Sequence, residues 1–310
     1  MTVLEQAQSL FEAGEFGRAR EVALEGLAAD PDNMDLVRLA GRAGVEIGSD
    51  DAVEQLRRVT ELQADSKRAW SDLGDALAAE GRTDEANDAF RKVLEIDPED
   101  DSALTALGHS AFGAGERGEA VSMLEQVAER TRGASTAAIS LVEMYRTLGR
   151  PEEALAAAQR VAAADPGDAL HELDVAELSL ETGRHHEALE AFARLREVVD
   201  LPDDEVAALH GMIKAELVRD RKERALELAR EAGAIDTVGR SAAVLAYLEA
   251  DLGVDESPDD AIARGATTFI QMREVPPSRA EVDALLDTTL SDLRGALSNG
   301  DRTLSAGEDG

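Results

Sequence analysis

No cysteine occurs among the 310 residues. Disulfide scaffolds, thiolate metal centres and cysteine nucleophiles are therefore excluded. Aromatic residues make up only 3% of the chain, while hydrophobic residues make up 44%. A sizeable core must then be built from Ala, Leu and Val, and the abundance of strong helix formers points to an all-helical protein. Lysine is scarce too, confined to Lys67, Lys92, Lys214 and Lys222. Long apolar runs are missing: no window approaches the ~20 residues of a membrane-spanning helix. The opening stretch MTVLEQAQSLFEAGEF has neither a basic start nor an unbroken apolar segment. No membrane insertion and a cytoplasmic location are expected.

Asp and Glu number 65 against 32 Lys plus Arg, a formal charge of -33. A surface this acidic repels phosphate backbones, so no nucleic acid is expected as a partner. Codon bias in a GC-rich genome accounts for Arg over Lys, but not for two acids per base. The excess fits a salt-adapted or otherwise acidic proteome.

A 34-residue period runs through the chain. Gly74, Gly81 and Ala86 recur as Gly108, Gly115 and Ala120, then as Val142, Gly149 and Ala154, then as Ala176, Gly183 and Ala188. Pro98 recurs as Arg132, Pro166 and Asp200. Apolar spacing places Trp70, Leu73, Gly74 and Leu77 on one face of a first helix. Ala86, Ala89, Phe90 and Val93 lie on one face of a second. Gly81 supplies a left-handed residue at the turn. Thr83 or Asp84 is positioned to cap the second helix, and Asp97-Pro98 to stop it.

Trp70, Leu73, Gly74, Gly81, Ala86, Phe90 and Pro98 together resemble the tetratricopeptide repeat. The unit departs from the pattern at Leu77, where Tyr is usual, and at Val93, where a small residue is usual. Four units keep register from Lys67 to Pro202. Gly14, Ala19, Ala23 and Pro31 mark a unit upstream. Ala40-Gly41 and Gly48 mark another, whose second helix starts one residue out of step at Ala52. After a slip of three, a unit resumes at Met212-Ile213, Asp220 and Ala225. An eighth, degenerate pair runs to about residue 275, with Ser257-Pro258 opening its second helix.

The resemblance implies a right-handed α-solenoid of about eight helix pairs, with units near 1–33, 34–66, 67–100, 101–134, 135–168, 169–205, 206–238 and 239–275. A capping helix is expected over 278–298, opened by a Ser278/Glu281 capping box. Its apolar residues Val282, Leu285, Leu286, Leu290 and Leu293 would cover the last hydrophobic face. A disordered tail is expected over 299–310. The whole of 1–298 reads as one array.

The resemblance also implies that first helices line a concave groove. Candidate partner-binding residues on that face are Arg38, Arg42, Arg68, Ser71, Asp75, Thr105, His109, Ile139, Glu143, Leu173 and Glu177. Arg38, Arg42 and Arg68 either pair with neighbouring acids or receive a partner's carboxylates. Leu170, Leu173 and Leu180 suit an amphipathic helix. The Lys and Asn set of the family's chaperone-tail clamp is absent.

No catalytic chemistry is legible. His185-His186 project in different directions and make a poor metal pair, even with His171 nearby. Acid pairs such as Asp50-Asp51, Asp100-Asp101 and Asp259-Asp260 sit at helix starts, where the helix dipole accounts for them. No G-x-S-x-G, H-E-x-x-H or P-loop occurs. The expectation is a non-enzymatic scaffold, without cofactor or metal, for a protein or peptide partner. A docking subunit of an enzyme complex and a peptide or small-ligand sensor are the alternatives.

Overall fold

The computed structural model describes residues 2–236, 238–253 and 276–299. The second helix of the eighth pair, its Ser257-Pro258 opening and Asp259-Asp260 lie outside the described residues, as does the tail beyond 299. The described residues form sixteen α-helices and no strand. Among them, no helix is long and apolar enough to cross a membrane. The chain divides into two compact units, Met1–Glu129 and Arg130–Gly310.

The first unit holds α1 (Val3–Glu12), α2 (Phe16–Ala29), α3 (Met34–Glu46), α4 (Ala52–Leu62), α5 (Lys67–Ala79), α6 (Thr83–Ile96), α7 (Asp101–Ala114) and nearly all of α8 (Arg117–Arg130). The second holds α9 (Thr136–Thr147), α10 (Pro151–Ala164), α11 (Ala169–Glu181), α12 (His185–Val198), α13 (Pro202–Val218), α14 (Lys222–Ile235), α15 (Ser241–Leu252) and α16 (Arg279–Asn299). Odd-numbered helices up to α15 are the first members of their pairs, and even-numbered helices up to α14 are the second members.

First and second helices start differently. First helices up to α11 are capped by side chains, whereas α13 and α15 are not. Asn33 accepts from the Leu36 N–H, Ser66 from Ala69, Asp100 from Ala103, Ser135 from Ala138, and Asp168 from both Leu170 and His171. Second helices have no side-chain cap at Arg82, Arg150, Arg184 or Arg221. The expected cap at Thr83 or Asp84 is not made, because α6 already begins at Thr83. The turn does the work instead. Gly81 is left-handed at φ 71°, and the Arg82 N–H returns to the Leu77 carbonyl at 2.9 Å. This bond satisfies an orphan carbonyl of the first helix and sets the entry of the second. Arg150 to Tyr145, Arg184 to Ser179 and Arg221 to Glu216 repeat it. In the last of these turns Asp220 holds the left-handed position at φ 57° where the other turns use Gly.

Close helix contact explains the small residues. A Cβ on Gly74 would lie 2.7 Å from the Phe90 ring, and one on Gly108 would lie 3.1 Å from Leu124. Each pairs a glycine on the first helix with a large residue on the second, sixteen positions later. Where Val142 replaces the glycine, the corresponding position is Ala158, and both are buried. Volume has moved from one helix to the other, which keeps the sum roughly constant.

The cores follow. In the first unit Val53, Leu56, Leu73, Leu77, Ala86, Phe90, Val93 and Leu107 form one cluster, with Trp70 packed on its side. In the second, Leu209, Ile213, Leu217, Leu228 and Leu245 are joined by Val282 and Leu286 of α16.

Candidate partner-binding site

The first-helix face of the first unit carries Arg38, Arg42, Arg68, Ser71, Asp75, Thr105 and His109 on α3, α5 and α7. Arg38 is only 6% exposed, and its Nη1 donates to Asp72 Oδ2 at 2.8 Å. Arg42 Nε lies 3.3 Å from the other Asp72 oxygen, and its guanidinium stacks 4.6 Å from the centre of the Phe11 ring. Asp72 therefore ties two turns of α3 to α5. Both arginines are thus held by a carboxylate of the chain, as in the first of the two readings offered for them. Arg68 differs: it is exposed, with no ion pair among the described residues. Asp75 is exposed, and its carboxyl sits above the usual range, chiefly because nearby groups strip it of water and then because Asp72 repels it. Ser71 is half-buried, and Thr105 donates to the Asp101 carbonyl one turn back. His109 is exposed.

In the second unit Ile139 is 41% exposed, and exposed Glu143 lies 4.0 Å from Arg146. Leu173 is fully buried, so this candidate presents nothing to a partner from an open surface. Glu177 is engaged by two arginines, Arg146 at 3.6 Å and Arg294 at 2.5 Å.

Arg294 belongs to α16, which occupies the stretch where a capping helix was expected. The capping box forms, with the Ser278 N–H donating to Glu281 and the Glu281 N–H donating to Ser278. The helix packs against α11, α13 and α15, all first helices. Val282, Leu286, Thr289, Leu290 and Leu293 face inward and are buried. Polar pins flank that stripe. Arg294 reaches Asp174 at 2.7 Å, and Lys214 of α13 pairs with Asp287. A cleft of about 510 Å3 runs beside the helix, lined by Arg146, Glu177, His185, Lys214, Leu290 and Arg294.

Between the pins lies His210, fully buried on α13. Its Nδ1 is 3.3 Å from Thr289 Oγ1 and its Nε2 is 3.0 Å from Ser241 Oγ of α15. The Thr289 hydroxyl donates to the Leu285 carbonyl at 2.9 Å. The two ring nitrogens thus link α13 to hydroxyls of α16 and α15. Burial holds the imidazole neutral and pushes its pKa down to about 4.

One grouping has metal-ligand character among the described residues. Asp165, Asp168 and His171 bring ligand atoms within 4.8 Å of one another. One Asp168 oxygen already accepts two backbone N–H groups as the cap of α11, at 2.9 and 3.0 Å. The geometry is that of a helix start, and it explains a pairing of His171 with Asp168 that the sequence did not suggest. His186 is exposed, 3.3 Å from Glu190.

Sequence reasoning missed Asp72, His210 as a three-helix link, and the seat of α16. Only Arg294 carried a signal. It is an arginine beside Leu293 at the edge of an apolar stripe, where a charge needs a partner.

The architecture has known counterparts. No curated protein matches this chain in sequence. The C-terminal part of a TPR repeat-containing protein from Cytophaga hutchinsonii is 15% identical, with a TM-score of 0.61, over 82% of this chain and all of that one (100%). A tetratricopeptide repeat protein from Parabacteroides merdae is 15% identical, with a TM-score of 0.50, over 78% of this chain and 96% of that one. YrrB, described as a TPR protein with an unusual peptide-binding site, is 20% identical, with a TM-score of 0.49, over 61% of this chain and 96% of that one. These likenesses concern the fold. The tetratricopeptide repeat model matches residues 4–52, 48–101 and 105–169, more than half of the chain. With the repeated helix pairs, the left-handed turns and the small residues at each helix contact, the chain belongs to the tetratricopeptide repeat family.

Proposed function

We propose that this protein is a non-catalytic interaction scaffold, and that the faces of its first helices bind a partner peptide or helix. One observation carries the reading. In the second unit that face already receives an amphipathic helix, α16, through an apolar stripe flanked by ion pairs. The family supports the same role, since stacked helix pairs expose extended surfaces suited to peptides.

In the first unit Arg68, Asp75 and His109 stand exposed on α5 and α7, with Ser71 half-buried among them. In the second, Ile139 and Glu143 stand exposed on α9. Arg38 and Arg42 serve as supports that hold α3 to α5, and Arg68 is the cation a partner meets. In the first unit, an exposed cation beside a poorly solvated acid suits a partner segment of mixed charge.

The test is capture of partners on the tagged full chain, followed by calorimetry with the captured partner. Arg68→Glu with Asp75→Lys is compared with a control, Arg57→Ala with Arg91→Ala, on second helices α4 and α6. Affinity falls at least tenfold in the first variant and holds in the control. Equal affinity for both overturns the groove reading.

A further inference from the structure

The seat of α16 has the character of a binding site. Helices α13 and α15 share a core with α14, in which Ile213 and Leu217 cluster with Ala225 and Leu228, and Val282 and Leu286 of α16 join it from one side. The contact is one-sided. Val282, Leu286, Leu290 and Leu293 are buried, while Glu281, Thr288 and Asp292 are exposed. The capping box at Ser278 and Glu281 is local, so the helix starts without help from the face it lies on.

The acids under α16 do not depend on it for charge compensation. Asp174 and Glu177 are also held by Arg146 of α9, at 3.0 and 3.6 Å. When Arg294 departs, the pair keeps one guanidinium. A buried acid left with no cation would make vacating the face prohibitive. The cleft beside α16 leaves part of the same face open to an incoming segment.

We infer that α16 is a tethered occupant of this face, holding in cis a site that a partner helix takes in trans. The inference rests on the function proposed above and specifies the partner. It is an amphipathic helix with apolar residues at positions i, i+4, i+8 and i+11, as Val282, Leu286, Leu290 and Leu293 are spaced. An arginine follows at i+12, where Arg294 meets Asp174 and Glu177. Because α16 is covalently attached, its local concentration is on the order of millimolar. A partner in solution must outcompete that concentration, so occupancy by α16 sets a threshold for binding.

Two measurements on the full chain test this. The first is hydrogen exchange of the unaltered protein. The amides of α16 open together, with protection at least tenfold below that of α12, α13 and α14. Exchange of α16 only along with α13 in one global event overturns the inference and leaves binding on the first unit untouched. The second is fluorescence anisotropy with a labelled synthetic peptide of residues 278–299. It binds the Leu286→Asp, Arg294→Glu chain at least tenfold more tightly than the unaltered chain. Arg294→Glu in the peptide itself reverses the gain. If the altered chain loses the circular dichroism of its helix pairs, α16 is integral and the inference fails. If α16 opens locally and the pairs stay folded, yet the peptide does not bind, the reading of this face as a binding surface fails along with the inference.

Discussion

Arg294 Nη2 lies 2.7 Å from Asp174 Oδ1, joining the last described helix to α11 across 120 positions of sequence. The bond carries α16 onto the inner helices of the second unit. Arg38 and Asp72 make the corresponding link in the first unit, between helices one repeat apart. Both show how a chain with few cations uses them: they are drawn to acids on neighbouring first helices.

Arg38→Ala is expected to lower stability by about 2–3 kcal/mol. It leaves Asp72, 11% exposed at its side chain, with only the longer contact to Arg42. Removing one partner of a buried pair strands the other charge. Arg68→Ala, at an exposed site, is expected to stay within about 0.5 kcal/mol. Urea denaturation of the two variants measures the contrast, and equal midpoints contradict the account of Asp72.

His210 makes stability depend on pH in a defined window. Its folded pKa is near 4 against 6.5 in the unfolded chain, so between these values the unfolded state binds more protons. The stabilisation is fully present above about pH 6.5 and is lost as pH falls toward 4. Between pH 7 and pH 5 the loss is roughly 2 kcal/mol. In His210→Asn the slope over that window should flatten. Melting temperatures at pH 7, 6 and 5 for both proteins read this directly, and an unchanged slope contradicts it.

Glycines on helices separate by what surrounds them. Gly211 of α13 stands against the Phe192 ring of α12, so a methyl group there forces one of them to move. Gly211→Ala is expected to cost about 1–3 kcal/mol. Gly74→Leu, against Phe90, is expected to cost a similar amount, about 1–3 kcal/mol. Gly113→Ala meets nothing within 4 Å and is expected to stabilise α7 by up to ~1 kcal/mol. Thermal melts that rank Gly211→Ala at or above Gly113→Ala would sink the packing argument.

Stability is expected to rise with added salt. A charge of -33 repels itself, and screening shortens the range of that repulsion from ~10 Å at ~0.1 M salt to ~3 Å at ~1 M. Ion pairs such as Arg294 with Asp174 weaken at the same time, but acids outnumber bases two to one, so the net sign favours folding. A melting temperature that is flat or falling between 0.1 and 1 M potassium chloride contradicts this.

The helices, their turns and their contact residues were legible because each depends on neighbours close in sequence. A left-handed Gly81 and a stop at Asp97 are local requirements of the backbone, whereas the cap expected at Thr83 or Asp84 is not made and those at Ser66 and Asp100 emerged only in the structure. The exchange of Gly74 and Phe90 for Val142 and Ala158 is also written in the repeat, because paired helices meet at fixed spacing. Tertiary structure alone decided which acid each arginine meets and where α16 lies. Charge pairing depends on distance in space, and no spacing in the sequence singled out Asp72 for Arg38 or Asp174 for Arg294. The stripe from Val282 to Leu293 states that one face of α16 must be covered. It does not state by what, since burying apolar area is favourable without regard to partner. The choice of α11, α13 and α15 came from groups that do discriminate: Asp174 and Glu177 for Arg294, Lys214 for Asp287, and His210 for Thr289.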